Sequence, residues 1–353
     1  MSTVPPVQPG FAYPPSGARP EPAAIVGNNG GHGAAATALA GAVSNNPLVV
    51  PPADPLIAAL ADALEVAAAR QNGLAPLFAD LEALVARPDV PAAVRNAAQA
   101  LLDLRLPESA LDGATLQKAI SRSGLFLEAV LANGLAPDTN IKSALQALRA
   151  SLQGWLGVDG ASADLHAAPP LPPFRGSLPV AQPPVPASIV DTGLRQAGLK
   201  VLSETDAAIA RHVMLQIASL PASQQPSHPP DDHTQRLVLD IPLATPQGTT
   251  IVQIQIEREA PRREREVPVW SVRFAVDIEP IGAVRARVSQ IGDKTSVTLV
   301  ADKPASADAL KENLAALKTG LTQAQLEPGD LHCLSHEAPK VAAPQGQFLN
   351  RAS

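Results

Sequence analysis

Apolar and polar residues alternate from Trp270 to Val288 in two arms joined by Pro280-Ile281-Gly282, the period of half-buried β-strands. Trp270, Val272, Phe274, Val276 and Ile278 share one face with Val284, Ala286 and Val288 of the second arm, whereas Arg273, Asp277, Arg285 and Arg287 share the other. One face is predicted to be core and the other wet. The same period recurs upstream, where Leu237, Leu239, Ile241 and Leu243 lead into the turn Pro246-Gln247-Gly248 and return through Val252, Ile254 and Ile256. Pro242 cannot donate to a ladder, which puts the first strand at an edge or at a bend. A fifth strand, Thr295 to Ala301, follows the turn Gly292-Asp293-Lys294, and a short extended piece is expected at about Leu331 to Leu334. Between these two, Ser306 can cap a helix with Leu310, Leu314, Leu317 and Leu321 at helical spacing. Strands in hairpins followed by one amphipathic helix predict an α+β C-terminal domain over residues 236–337, an antiparallel sheet with the helix packed on its apolar face.

Toward the N-terminus the period changes. Asp54 can cap and Pro55 suits the first helical position, and Ile57, Leu60, Leu64 and Ala68 recur on one face until Gly73. Further helices are expected at about 76 to 87, 91 to 104, 114 to 122, 124 to 133 and 138 to 156, separated by Pro88, Pro91, Pro107, Gly124, Gly134 and Pro137. Together they predict a small all-α module over residues 54–157. Residues 158–235 read as a Pro-rich linker: the pairs Pro169-Pro170, Pro172-Pro173 and Pro183-Pro184 favour an extended spacer. A short helix is expected within the linker at about 204 to 219. Residues 1–53, with repeated prolines and the run Gly27-Asn28-Asn29-Gly30-Gly31-His32-Gly33, offer too little apolar surface to offset ordering entropy. They are expected to be a disordered arm, and 338–353 a disordered tail.

Composition narrows the function classes. The 353 residues carry 37 prolines and only 3% aromatics, which argues against one dense core throughout. A net charge of -6 without a basic, aromatic-rich stripe gives no footprint for nucleic acid. The longest apolar run, Ala34 to Val43, is too short to cross a bilayer, so no membrane insertion is expected, and the N-terminus lacks the basic start and apolar core of a cleavable signal.

Candidate chemistry is sparse. Cys333 is the one cysteine, so no metal site of the Cys-rich kind and no intrachain disulfide can form. The cluster His332-Cys333-Leu334-Ser335-His336 has no second cluster of matching spacing, and adjacent His332 and Cys333 on a strand point to opposite faces. His228, Asp231, Asp232 and His233 sit in a Pro-rich loop without a scaffold. The glycine run is neither preceded by a strand nor closed by a Gly-Lys-Ser/Thr, and no Gly-x-Ser-x-Gly elbow appears. No catalytic, cofactor-binding or metal-ligating residue is assigned, and no cofactor is expected. The mixed-sign run Glu257 to Glu266 reads as a charged hairpin loop.

An alternating strand that opens on Trp270, the turn Pro280-Ile281-Gly282 with Val284 two residues on, and the Leu310, Leu314, Leu317 and Leu321 stripe together resemble the C-terminal domain of bacterial flagellar hook-length control proteins, over about residues 236–337. That family usually writes the turn Pro-Leu-Gly; Ile281 replaces the Leu, and Gln325 stands where many members have Gly after the helix. Ser123 to Ala129 and Ile141 to Arg149 are similar to segments in the N-terminal halves of such proteins.

The resemblance implies a non-enzymatic molecular ruler of the flagellar type III export pathway, cytoplasmic before export and then secreted. Its implied partners are hook and hook-cap proteins during export, and the cytoplasmic domain of the membrane-bound export-switch protein, which it turns from hook-type to filament-type substrates. Pro280, Ile281, Gly282 and Val284 are the expected partner-binding residues. Fully extended, residues 1–235 would span roughly 780 Å, against roughly 350 Å as helix. Two other readings stay open: a needle-length regulator of an injectisome, and a scaffold whose Pro-rich segments bind aromatic-lined grooves.

Overall fold

The computed structural model describes residues 55–127, 132, 139–158, 169–174, 176–221, 234–259 and 267–335. The expected disordered arm and tail, the glycine run and half of the helix expected at about 124 to 133 lie outside these residues.

The expected helices form with small shifts: α1 Pro55–Arg70, α2 Leu74–Val85, α3 Ala92–Leu102, α4 Gly113–Ser121 and α5 Ile141–Leu156. Local chemistry sets several ends. The Asp112 side chain accepts from the Thr115 amide at the start of α4, Asn140 and Ser143 form a capping box on α5, and Gly157, in the left-handed region, closes it. Gly73, expected to end the first helix, is instead the N-cap of α2.

The short helix expected at about 204 to 219 is α6, Leu194–Ser219, ten residues longer at its start. It is hidden by neighbours on most sides, burying Val201, Leu202, Ala208, Met214 and Leu215 along with Glu204, Thr205 and Arg211. A helix enclosed all round shows no single apolar stripe, so its period was unreadable. The apolar sides of α2, α3, α5 and α6 meet in one cluster around Phe78, Leu81, Leu145 and Leu202. Within the segment expected to be an extended spacer, residues 169–174 and 176–193 form a strap laid over these helices: Ile189 is fully buried among them, and Arg87 holds the Ile189 carbonyl.

The C-terminal region is α+β. Its strands are β2 Thr234–Thr245, β3 Gly248–Glu259, β4 Val269–Ile278, β5 Gly282–Ile291, β6 Lys294–Ala301 and β7 Glu327–Ser335. With β1, Leu106–Pro107, they form a seven-stranded sheet in chain order. The hairpins are antiparallel as expected, but the outer pairings β1–β2 and β6–β7 are parallel. Pro242 lies in β2, where the short β1 pairs only at Leu243 and Ala244. Its missing N–H therefore falls on a nearly open edge.

The single helix expected over the Leu stripe is two, α7 Pro304–Glu312 and α8 Leu314–Gln323. Asn313 separates them; its side chain donates to the Ala309 carbonyl, a local bond that competes with the continuous ladder. Leu310 and Leu314 pack with Val284, Ala301, Ala307 and Cys333 on the apolar face of β5–β7. At the other end of that face, Leu106, Ala119, Ile120 and Leu125 meet Leu239, Ile241 and Ile254.

The expected wet face is corrected. Ser271 and Ala275 of β4 are buried, as are Asp240, Gln253 and Gln255 on the same face of β2 and β3. The helical layer and strap lie over this part of the sheet; the polar side stays open only farther on, at Arg285 and Arg287. Trp270, expected in the core, is 40% exposed, its ring 5.4 Å beneath the Arg258 guanidinium.

Candidate partner-binding surface

The β4–β5 hairpin closes where Ile278 pairs with Gly282, leaving Glu279, Pro280 and Ile281 as the connection, with a cis bond between Glu279 and Pro280. Gly282 sits at φ +78, a conformation that side chains rarely adopt, and a Cβ there would lie 2.7 Å from Lys303 Cε. The positive φ calls for glycine, whereas the Lys303 side-chain end could swing aside. Lys303, just before α7, donates to the Pro280 carbonyl at 3.2 Å and faces the Glu279 carboxylate at 3.4 Å. Ser306 Oγ donates to the Ile281 carbonyl at 2.6 Å, and the Asp302 amide to the Ala283 carbonyl at 3.0 Å. The turn is thus clamped to the start of α7 through backbone carbonyls, and its one apolar side chain is left outward: Ile281 is 43% exposed.

The four expected site residues therefore divide. Pro280 and Ile281 are on the surface; Gly282 is buried beneath Lys303, and Val284 is buried against Ala301, Ala307 and Cys333, where it supports the turn from below. Acidic groups crowd this end of the sheet. Burial holds the Asp277 carboxyl above its usual range, Glu279 and Asp302 push the same way, and Lys303 opposes them. Ile281 thus presents an exposed apolar side chain on a turn held by Lys303 and Ser306.

On β7, Cys333 is buried and His332 exposed, on opposite faces. The thiol donates to the Ala307 carbonyl at 3.3 Å, and burial raises its pKa. Among the described residues no group of three or more His, Cys, Asp and Glu could hold a metal; His336, His228, Asp231, Asp232 and His233 lie outside them. Among the described residues no helix is long and apolar enough to cross a membrane.

Two polar clusters were missed by sequence reasoning. Arg211 of α6 and Asp240 of β2 pair at 2.6 Å with both side chains 1% exposed. Arg211 also donates to Gln71 at 3.1 Å, and Gln253 to Asp240 at 3.1 Å. Gln182 of the strap exchanges two backbone hydrogen bonds with Ile251 of β3. Its side-chain oxygen accepts from the Leu74 amide at 2.8 Å, and a Cβ on Gly73 would come within 2.5 Å of that oxygen. In the second cluster, Asp80 of α2 accepts from the Ser188 amide and hydroxyl at 2.5 and 2.6 Å. Glu204, beside Asp80, has its pKa pushed up to about 9 by burial and by the Asp80 charge, with Lys200 opposing. The available signal was a lone charge inside an apolar run, as at Arg211 and Asp240.

Comparison with known families bears on part of this sheet and the helices that follow it. Residues 247–341 match the family of the flagellar hook-length control protein FliK. The hook-length control match takes in β3 to β7 with α7 and α8, including all four turn residues, and spans less than a third of the chain. The helices α1 to α6, the strap, β1 and β2 lie outside it. No curated protein and no solved structure matches the chain.

Proposed function

We propose that this protein is a non-enzymatic ruler of the flagellar type III export pathway, whose C-terminal region switches export from hook-type to filament-type substrates. The observation that carries the reading is the match of residues 247–341, which falls on one contiguous block of sheet and helices. In this reading the protein is cytoplasmic before export and is then secreted. Residues N-terminal to the sheet meet hook and hook-cap proteins in transit, and the C-terminal region docks on the cytoplasmic domain of the export-switch membrane protein. Docking is through the Pro280-Ile281-Gly282 turn: Ile281 supplies the apolar contact, while Gly282, Val284, Lys303 and Ser306 hold it in place.

Complementation of a deletion strain tests the reading. Without the gene, hooks should grow abnormally long and lack filaments; the wild-type gene should restore both. Ile281→Asp puts a charge on an exposed position, so the domain should stay folded while complementation fails. Normal hooks in the deletion strain would overturn the function. Normal hooks with Ile281→Asp would overturn the assignment of the turn.

A further inference from the structure

The bundle-facing side of β2 and β3 carries the residue pattern of a surface in water, yet it is buried. Asp240, Thr249, Gln253 and Gln255 are each less than 5% exposed. Apolar contact across this seam is sparse. Among the described residues Ile251 is the one sheet member of the helical cluster, and Val238 joins Leu215 and Ala218 of α6. The helices have a core of their own around Phe78 and Leu145, and the sheet has its own around Leu239 and Ile254.

What spans the seam is a set of hydrogen bonds. Arg211 donates to Asp240, the Thr249 hydroxyl to Glu82 of α2 at 3.3 Å, the Val180 amide to Gln253 at 2.9 Å, and the Val238 amide to the Ser219 hydroxyl at 2.9 Å. The strap adds the Gln182–Ile251 bridge. Permanent contacts are built apolar; surfaces that must also survive alone in water meet through polar groups, which water can satisfy when they part.

We infer that α1 to α3, α5, α6 and the strap are a detachable cover: they leave the sheet as a unit and expose its polar face, while the sheet stays folded. The contact is autoinhibitory in form, because it withholds Asp240, Gln253 and Gln255 from any partner of the hook-length control region. The sheet keeps its other face closed by Leu106, Ala119 and Ile120 at one end and by α7 at the other. Only the force that draws the cover away rests on the proposed export function; detachment itself does not.

Hydrogen–deuterium exchange on the full chain tests the cover. Amides in α2, α5 and α6 should exchange together, about tenfold or more faster than those of β4 to β6, as expected of a sub-global opening. Arg211→Gln should widen that gap, speeding the helical amides by about tenfold or more and leaving β4 to β6 unchanged. A single rate class for helices and sheet, or equal acceleration of both in the variant, would overturn the inference. Exchange needs no flagellar apparatus, so its outcome is separate from that of the complementation experiment.

Discussion

On one face of the sheet Leu239, Ile254 and Phe274 stand side by side across β2, β3 and β4; on the other the neighbouring row is Asp240, Gln253 and Ala275. The first row is closed over by short pieces, α4 and the residues about Leu125 at one end and α7 with α8 at the other. The second row lies under the helical layer, held by Arg211, Gln182 and Val180. Apolar burial is indifferent to the detail of its partner; a buried carboxylate requires a particular cation at a particular distance. One sheet is thus closed by unspecific apolar contact on one side and by particular polar pairs on the other.

The two faces should differ most at Arg211. Arg211→Ala leaves the buried Asp240 carboxyl without its cation, and should destabilise the protein by about 3–5 kcal/mol. The same truncation at Arg285, paired with Asp302 on the open part of the polar face with side chains 43% and 41% exposed, should cost below about 1 kcal/mol. Urea unfolding monitored by circular dichroism would compare the midpoints. Equal shifts would mean that the buried pair is no more than a surface pair in disguise.

The helical layer has its own buried acid, and pH reads it. Glu204 is 4% exposed and its carboxyl is pushed up to about 9 from 4.5. Between those values the folded state binds more protons than the unfolded one, so this group's contribution is most favourable below pH 4.5, falls as pH rises toward 9, and is level above. Stability should therefore decline between pH 5 and pH 8, by on the order of 2–4 kcal/mol from this group. Glu204→Gln cannot ionise and should flatten the decline, while the Asp80–Ser188 contact persists. Thermal melts of both proteins at four pH values would show it; parallel profiles would mean that Glu204 ionises freely in the folded state.

Legibility follows the same division. The strands were readable because alternation is a local period, and residues such as Val272, Phe274 and Val276 display it whatever covers them. The turn was readable because Gly282 has a local reason, a positive φ. What covers each face was not readable. Asp240 meets Arg211 across 29 residues of chain, Gln182 meets Leu74 across 108, and Arg105 meets Thr249 across 144; no window of sequence contains both partners. The strap was read as a spacer because proline favours extended backbone. That an extended segment lies against a core through Gln182, Ser188 and Ile189 is a tertiary fact that its proline content does not encode.

The smallest expected effect belongs to the apolar side, at the one place where the chain departs from its resemblance in backbone terms. Gln325 follows α8 with φ +61, the one positive φ outside glycine among the described residues. Around it the Leu326 amide donates to the Leu321 carbonyl at 2.9 Å and the Gln325 amide to the Thr322 carbonyl at 3.0 Å, the paired bonds of a Schellman ending, which favours glycine at this position. The left-handed conformation costs a side-chain-bearing residue about 1 kcal/mol relative to glycine. Gln325→Gly should therefore stabilise the chain by up to about 1 kcal/mol, less whatever the freer unfolded glycine returns, and differential scanning calorimetry would register it as a higher melting temperature. If the sheet and the helical cover open separately, the gain should slow exchange in β6 and β7, which α7 and α8 cover, and leave α2, α5 and α6 as they were. A gain shared equally by helices and sheet would instead mean that the two regions unfold as one, and that the polar seam joins them as firmly as an apolar core would.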